Sequence, residues 1–101
     1  MATLIKIATT SEVPAGQGKV IEANGRTLAL FNVGGQFHVI DNTCIHRGGP
    51  LGEGSLAGST VTCPWHGWEY DVTTGSCLTD TEAKVEKLEV KVEGDDIYVE
   101  L

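Results

Sequence analysis

The sequence contains no apolar run long enough to span a bilayer, and its first ten residues, MATLIKIATT, hold no leader-like hydrophobic segment. The expectation is a soluble, cytoplasmic protein with no membrane partner. Basic residues are scarce: seven Lys and Arg face fourteen Asp and Glu, for a formal charge of −7. A surface of that sign repels phosphate backbones and anionic headgroups, so nucleic acid is not an expected partner either. Cysteine occurs three times, an odd number that does not suit the disulfide framework of a small secreted domain. Internal repeats and low-complexity tracts are absent, and so is any amphipathic helical stretch of useful length. What remains is 101 residues, 41% of them hydrophobic. That suffices for one small domain, of a size that gains from a metal or another staple.

The pattern that is present is β. TLIKIA reads as a first strand, and SEVPAGQGK as the turn after it. VIEANGRTLALFNVGGQFHVID reads as two successive hairpins, turning at Asn24-Gly25 and Gly34-Gly35. Near the C-terminus Leu88, Val90 and Val92 alternate with Glu89, Lys91 and Glu93, and Gly94-Asp95 turns the chain into Ile97, Val99 and Leu101. Short strands separated by turn signals predict an all-β fold, an antiparallel sandwich or barrel. Eleven of the thirteen glycines lie at or before Gly67, so the middle is loop-rich and any site sits on loops held by a β scaffold.

Two of those loops carry the chemistry. CIHRGGPLGEG, from Cys44 to Gly54, places a cysteine two positions before a histidine. CPWHGWEYD, from Cys63 to Asp71, places a cysteine three positions before a histidine, and sixteen residues separate His46 from Cys63. Buried free cysteines acting as small hydrophobes would account for Cys44 and Cys63. They would not account for the matched His46 and His66, each closely followed by glycine. Cys44, His46, Cys63 and His66 are therefore the candidate metal ligands. Zinc accepts two cysteines and two histidines, but common zinc fingers group the cysteines in one pair and the histidines in another. Here each loop supplies one of each. That is the donor set of a Rieske centre, with two thiolates on one iron, two imidazoles on the other and two sulfides between them. Glycine lets the backbone bend close to such a cluster and offer it N–H groups.

CIHRGGP and CPWHG resemble the C-x-H and C-x-x-H boxes of the Rieske iron–sulfur family. With YDVTTG after the second box, nearly the whole chain is similar to the small Rieske ferredoxins of bacterial aromatic-ring oxygenase systems. The resemblance implies a Rieske fold: a base of antiparallel sheets bearing a small cluster-binding subdomain of two loops. One domain over residues 1–101 is expected, with the subdomain at about 43–70. The resemblance also implies one 2Fe–2S cluster of Rieske type. Its role would be one-electron carriage from a flavin-dependent NAD(P)H reductase to a terminal oxygenase. A monomer with no catalytic site of its own is expected. Ferric irons, sulfides and two thiolates sum to zero charge, whereas four thiolates would leave a net negative charge. Histidine ligation thus raises the potential above that of plant-type ferredoxins.

The chain departs from the respiratory-chain branch of that family. Gly49 and Trp65 stand where that branch has two further cysteines joined as a disulfide, and Trp68 where it has a serine that bonds a sulfide. With these features gone, the potential is expected toward the low end of the Rieske range of about −150 to +300 mV. Tyr70 matches that branch's tyrosine, and hydrogen bonding and core packing are both open to it. Trp65 suits either a docking anchor or a shield against water. LTDTEAK lacks the proline-rich stretch that many oxygenase ferredoxins carry there. His38 reads as a strand residue, Cys77 as a small packing residue and Trp68 as core. Arg47, the one basic residue of the two boxes, suits a partner salt bridge or a solvated surface equally. Two other function classes compete. One is the small subunit of an assimilatory nitrite reductase, whose ligand set is often incomplete where this one is intact. The other is a structural zinc domain, which would be colourless.

Overall fold

The computed structural model describes residues 4–23, 25–43, 50–65, 67–80 and 84–100. In chain order the strands are β1 (Leu4–Thr9), β2 (Gly18–Ala23), β3 (Arg26–Val33), β4 (Gln36–Asp41), β5 (Ser55–Ala57), β6 (Thr60–Thr62), β7 (Glu69–Asp71), β8 (Lys87–Leu88), β9 (Val90–Glu93) and β10 (Asp96–Glu100). The described helical residues are two 3-10 turns, Thr10–Glu12 and Leu51–Glu53. Three open antiparallel sheets result, with strand orders β1-β10-β9, β2-β3-β4-β8 and β5-β6-β7. The expected all-β fold is thus a stack of packed sheets, not a closed barrel.

The four-stranded sheet is the middle layer, and β3 shows why. Leu28, Ala29, Leu30 and Phe31 are all fully buried, so the middle of this strand has no solvent face. Leu28 and Leu30 pack with Ala8, Ile97 and Val99 of the first sheet. Ala29 and Phe31 pack with Val61, Tyr70 and Val72 on the side of the third. A strand buried on both faces reads as a continuous apolar run, as LALF does. Each fully buried Leu, Ile or Phe contributes about 1.5–3 kcal/mol relative to its exposed state.

The turn chemistry acts where it was expected. Val33 pairs with Gln36 across Gly34 (φ 59°) and Gly35 (φ 96°), the mirror-image turn that needs two positive φ angles. Ala23 pairs with Arg26, so residues 24 and 25 make a two-residue turn; Asn24 lies outside the described residues. Glu93 pairs with Asp96 across Gly94-Asp95. One expectation changes. The alternating run from Leu88 to Val92 is two strands in two sheets: Leu88 pairs with Val39, and Val90 with Val99. The chain passes between layers at Glu89, and Val92 stands 44% exposed on the open edge of the first sheet.

The third sheet is short and gains an edge the sequence did not announce. Cys77 bridges to Tyr70. The Asp71 N–H donates to the Ser76 carbonyl at 2.9 Å, and the Leu78 N–H to the Glu69 carbonyl at 2.7 Å. Residues 76–78 thus run antiparallel beside β7, so Val61, Tyr70 and Cys77 stand in one buried row facing the middle layer.

Candidate metal centre

The first ligand loop leaves β4 at Asp41 and returns at the 3-10 turn Leu51–Glu53. Its feet are tied together. Thr43 bridges to Pro50. The Leu51 N–H donates to the Asn42 carbonyl at 2.7 Å, and the Gly52 N–H to Asn42 Oδ1 at 2.8 Å. The Thr43 N–H also donates to Asp41 Oδ1 at 2.9 Å, turning the chain as it leaves the strand. Leu51 then anchors the returning foot in a core cluster with Val61, Cys63 and Tyr70. Cys44 and His46, and with them Ile45 and Arg47, lie outside the described residues.

The second loop closes the β6–β7 hairpin. Thr62 pairs with Glu69, and one step further the Cys63 N–H donates to the Trp68 carbonyl at 2.6 Å. A four-residue tip, 64–67, remains. Pro64 and Trp65 are exposed there, Trp65 by 50%. Gly67 has φ 74°, a backbone state that other residues adopt only with strain. His66 lies outside the described residues. The two loops meet through β5: Ser55 pairs with Thr62, and Gly54 lies so close that a Cβ there would stand 2.2 Å from the Thr62 carbonyl oxygen. The chain leaving the first loop is therefore pressed against the residue that precedes Cys63.

Cys63 is 2% exposed and sits two positions beyond Val61, in the core cluster that also holds Tyr70. As a thiol Cys63 packs there as a small apolar residue; as a thiolate it would require a positive partner to offset its desolvation, and a metal would supply one. Trp68 is half-buried against the same cluster, as expected, and Tyr70 is fully buried in it. A soft donor on a hydrogen-bonded hairpin foot, a positive-φ glycine in the tip and a second loop tied alongside fit an iron–sulfur group. Of the four sequence-derived ligands, the described residues place Cys63 alone. Cys77 is the packing residue expected, 2% exposed, and its Sγ accepts the Asp80 N–H at 3.3 Å. His38 is a half-buried residue of β4, opposite Phe31. Burial pushes its pKa below the usual 6.5 and the Lys87 ammonium adds to that, while the Asp71 carboxylate opposes both.

Residues 3–97 match the Rieske [2Fe-2S] domain family. The chain belongs to that family. An iron–sulfur cluster is accordingly the group that the family match supports. Among relatives, the 3-phenylpropionate/cinnamic acid dioxygenase ferredoxin subunit of Escherichia coli (strain K12) is 37% identical over 94 residues, 90% of this chain and 87% of that one. Among solved structures, a chain of the complex of reduced oxygenase and oxidised ferredoxin in carbazole 1,9a-dioxygenase superposes with a TM-score of 0.88 at 31% identity, covering 95% of this chain and 91% of that one. A nitrite reductase small subunit from Mycobacterium tuberculosis reaches a TM-score of 0.91 at 21% identity, over 100% of this chain and 96% of that one. That last likeness is one of fold. No described helix of this Rieske domain is long and apolar enough to cross a membrane.

Sequence reasoning did not single out Asn42, Gly54 or the 76–78 edge. Asn42 reads as a turn residue and Gly54 as loop freedom. Their importance lies in contacts with residues distant in the chain, which no local pattern carries.

Proposed function

We propose that this Rieske domain is a soluble, cytoplasmic one-electron carrier of an oxygenase system. It is reduced by a flavin-dependent NAD(P)H reductase and oxidised by a terminal oxygenase. The observation that carries the reading is the complete two-box donor set in a chain matched along about nine-tenths of its length by an oxygenase ferredoxin subunit. Cys44 and Cys63 are the proposed ligands of one iron, and His46 and His66 of the other, in one 2Fe–2S cluster. Residues 1–101 act as one domain, with the binding part at about 43–70, and the protein works as a monomer.

When bound, such a cluster accepts and releases a single electron without any atom transfer. The chain's own residues supply the rest. Leu51, Val61, Tyr70 and Val72 exclude water on the inner side, all at 0% exposure. The Cys63–Trp68 backbone bond fixes the second box on its strand. Pro64 and Trp65 offer an apolar outer tip, few in number and suited to a transient interface. Reductase and oxygenase are proposed to use this tip in turn, since each must come within tunnelling reach of the same ligands. A small subunit of nitrite reductase is the second reading, favoured by the fold likeness alone and opposed by the intact ligand set.

The test is iron and acid-labile sulfide analysis of anaerobically reconstituted protein. Equal amounts of both, with a Rieske EPR signal on reduction, are expected. Zinc, or the absence of labile sulfide, would overturn the reading. Docking is tested by adding redox-inactive oxygenase while the reductase reduces the protein. Undiminished reduction within a ternary complex would refute the shared tip.

A further inference from the structure

Asn42 and Asn32 are the buried polar residues among those described, each 7% exposed. They do different work. Asn32 holds scaffold: its Nδ2 donates to the Val13 carbonyl at 2.8 Å and its Oδ1 accepts the Gly35 N–H at 2.8 Å. Asn42 joins the two feet of the first ligand loop. It lies two positions before Cys44, and it accepts hydrogen bonds from Leu51 and Gly52 on the returning foot, one at its carbonyl and one at Oδ1. Its own N–H reaches the Thr27 carbonyl of β3 at 3.3 Å, which ties the clamp to the middle sheet. Gly52 has no room to spare: a Cβ there would stand 2.8 Å from Val20 Cγ2 and 3.0 Å from Asn42 Oδ1.

We infer that Asn42 is a positioning residue for the cluster. Its buried amide clamps the feet of the first loop and so holds Cys44 and His46 in register with the second box. The inference rests on the ligation proposed above. The physical reason is precision. Donor atoms must be held to within about 0.5 Å, and the ties that set them lie outside the donor set itself. One residue accepting two hydrogen bonds across the base of a loop does this with no added charge. Alanine would keep the backbone bond to Leu51 and leave the buried Gly52 N–H without its partner.

The experiment compares Asn42→Ala, Gly52→Ala and Asn32→Ala as cluster-loaded proteins. Bleaching by an iron chelator is followed well below the melting temperature of each, and the reduced-state EPR spectrum is recorded. Asn42→Ala should bleach about tenfold faster than wild type, the effect of losing one buried hydrogen bond, and Gly52→Ala, which crowds Val20 as well as Asn42 Oδ1, should bleach at least as fast; both should shift or broaden the EPR signal. Asn32→Ala should lose thermal stability while keeping the wild-type bleaching rate and spectrum. Wild-type bleaching and EPR in Asn42→Ala would overturn the inference, as would equal changes in Asn32→Ala. Should Asn42→Ala not accumulate folded, Asn42→Ser, whose shorter side chain withdraws the acceptor from the Gly52 N–H, takes its place in the same assay and decides. A wild-type protein without iron and labile sulfide defeats the ferredoxin reading as well. A loaded wild type with an indifferent Asn42→Ala defeats only this inference.

Discussion

Gly54→Ala tests whether the two ligand loops depend on one close backbone approach. Gly54 has φ −74° and ψ 167°, an extended conformation that alanine adopts without strain. Space is the only obstacle. A Cβ at position 54 would stand 2.2 Å from the Thr62 carbonyl oxygen and 3.1 Å from Val61 Cγ2, where ordinary contact begins at 3.4 Å. The obstructing atom is backbone, so it cannot rotate away. Relief requires β5 and β6 to part by roughly an ångström at the Ser55–Thr62 pair, next to Cys63. Overpacking of this kind costs about 1–3 kcal/mol. For a domain of this size that lowers Tm by roughly 5–20 °C. Gly25→Ala is the control. Gly25 has φ 79°, and a methyl there would meet nothing within 4 Å, so its cost is conformational alone, about 1–2 kcal/mol, in a hairpin turn of the scaffold. The assay pairs thermal melting with iron content. Both variants should melt early, and Gly54→Ala should also lose cluster on purification. A fully loaded Gly54→Ala that melts with wild type would refute the reasoning, as would equal cluster loss in Gly25→Ala.

Cys77→Ser should keep its iron content and visible spectrum, because the proposed ligand set is complete without it; loss of the spectrum with the fold intact would count against that set. His38→Gln should flatten the acid side of the stability profile. With its folded pKa below 6.5, His38 takes up a proton more readily in the unfolded chain, so its contribution is fully present above about 6.5 and is lost as pH falls toward the folded value. Melting of wild type and variant between about pH 7.5 and 5.5 checks this, and an unchanged slope refutes it. Trp65→Ala should alter stability by no more than about 0.5 kcal/mol, since the side chain is half exposed. It should weaken binding of both proposed redox partners by roughly tenfold or more in titration. Unchanged affinity with faster bleaching in air would assign Trp65 to water exclusion instead.

What could be read from the sequence follows the range of the interaction. Gly34-Gly35 and Gly94-Asp95 were readable because a two-residue turn makes a local demand on φ, and residue type answers it. The segment holding LALF was readable as part of two hairpins, but not as the strand between two cores, because hydrophobicity records burial and not which neighbour provides it. From Leu88 to Val92 the period of two continues unbroken while the chain changes sheets at Glu89. Alternation looks the same against either partner, so no local pattern could have located the crossing. The site divides in the same way. Thiolate and imidazole at short spacing announce a metal because few other tasks need both. The clamp at Asn42 and the approach at Gly54 depend on residues 10 and 8 positions away in the chain, and both residues pass for ordinary loop composition. The two kinds of variant therefore probe different things. Replacing a donor asks whether the two boxes bind iron. Replacing Asn42 or Gly54 leaves every donor in place and asks whether this fold holds them where iron requires.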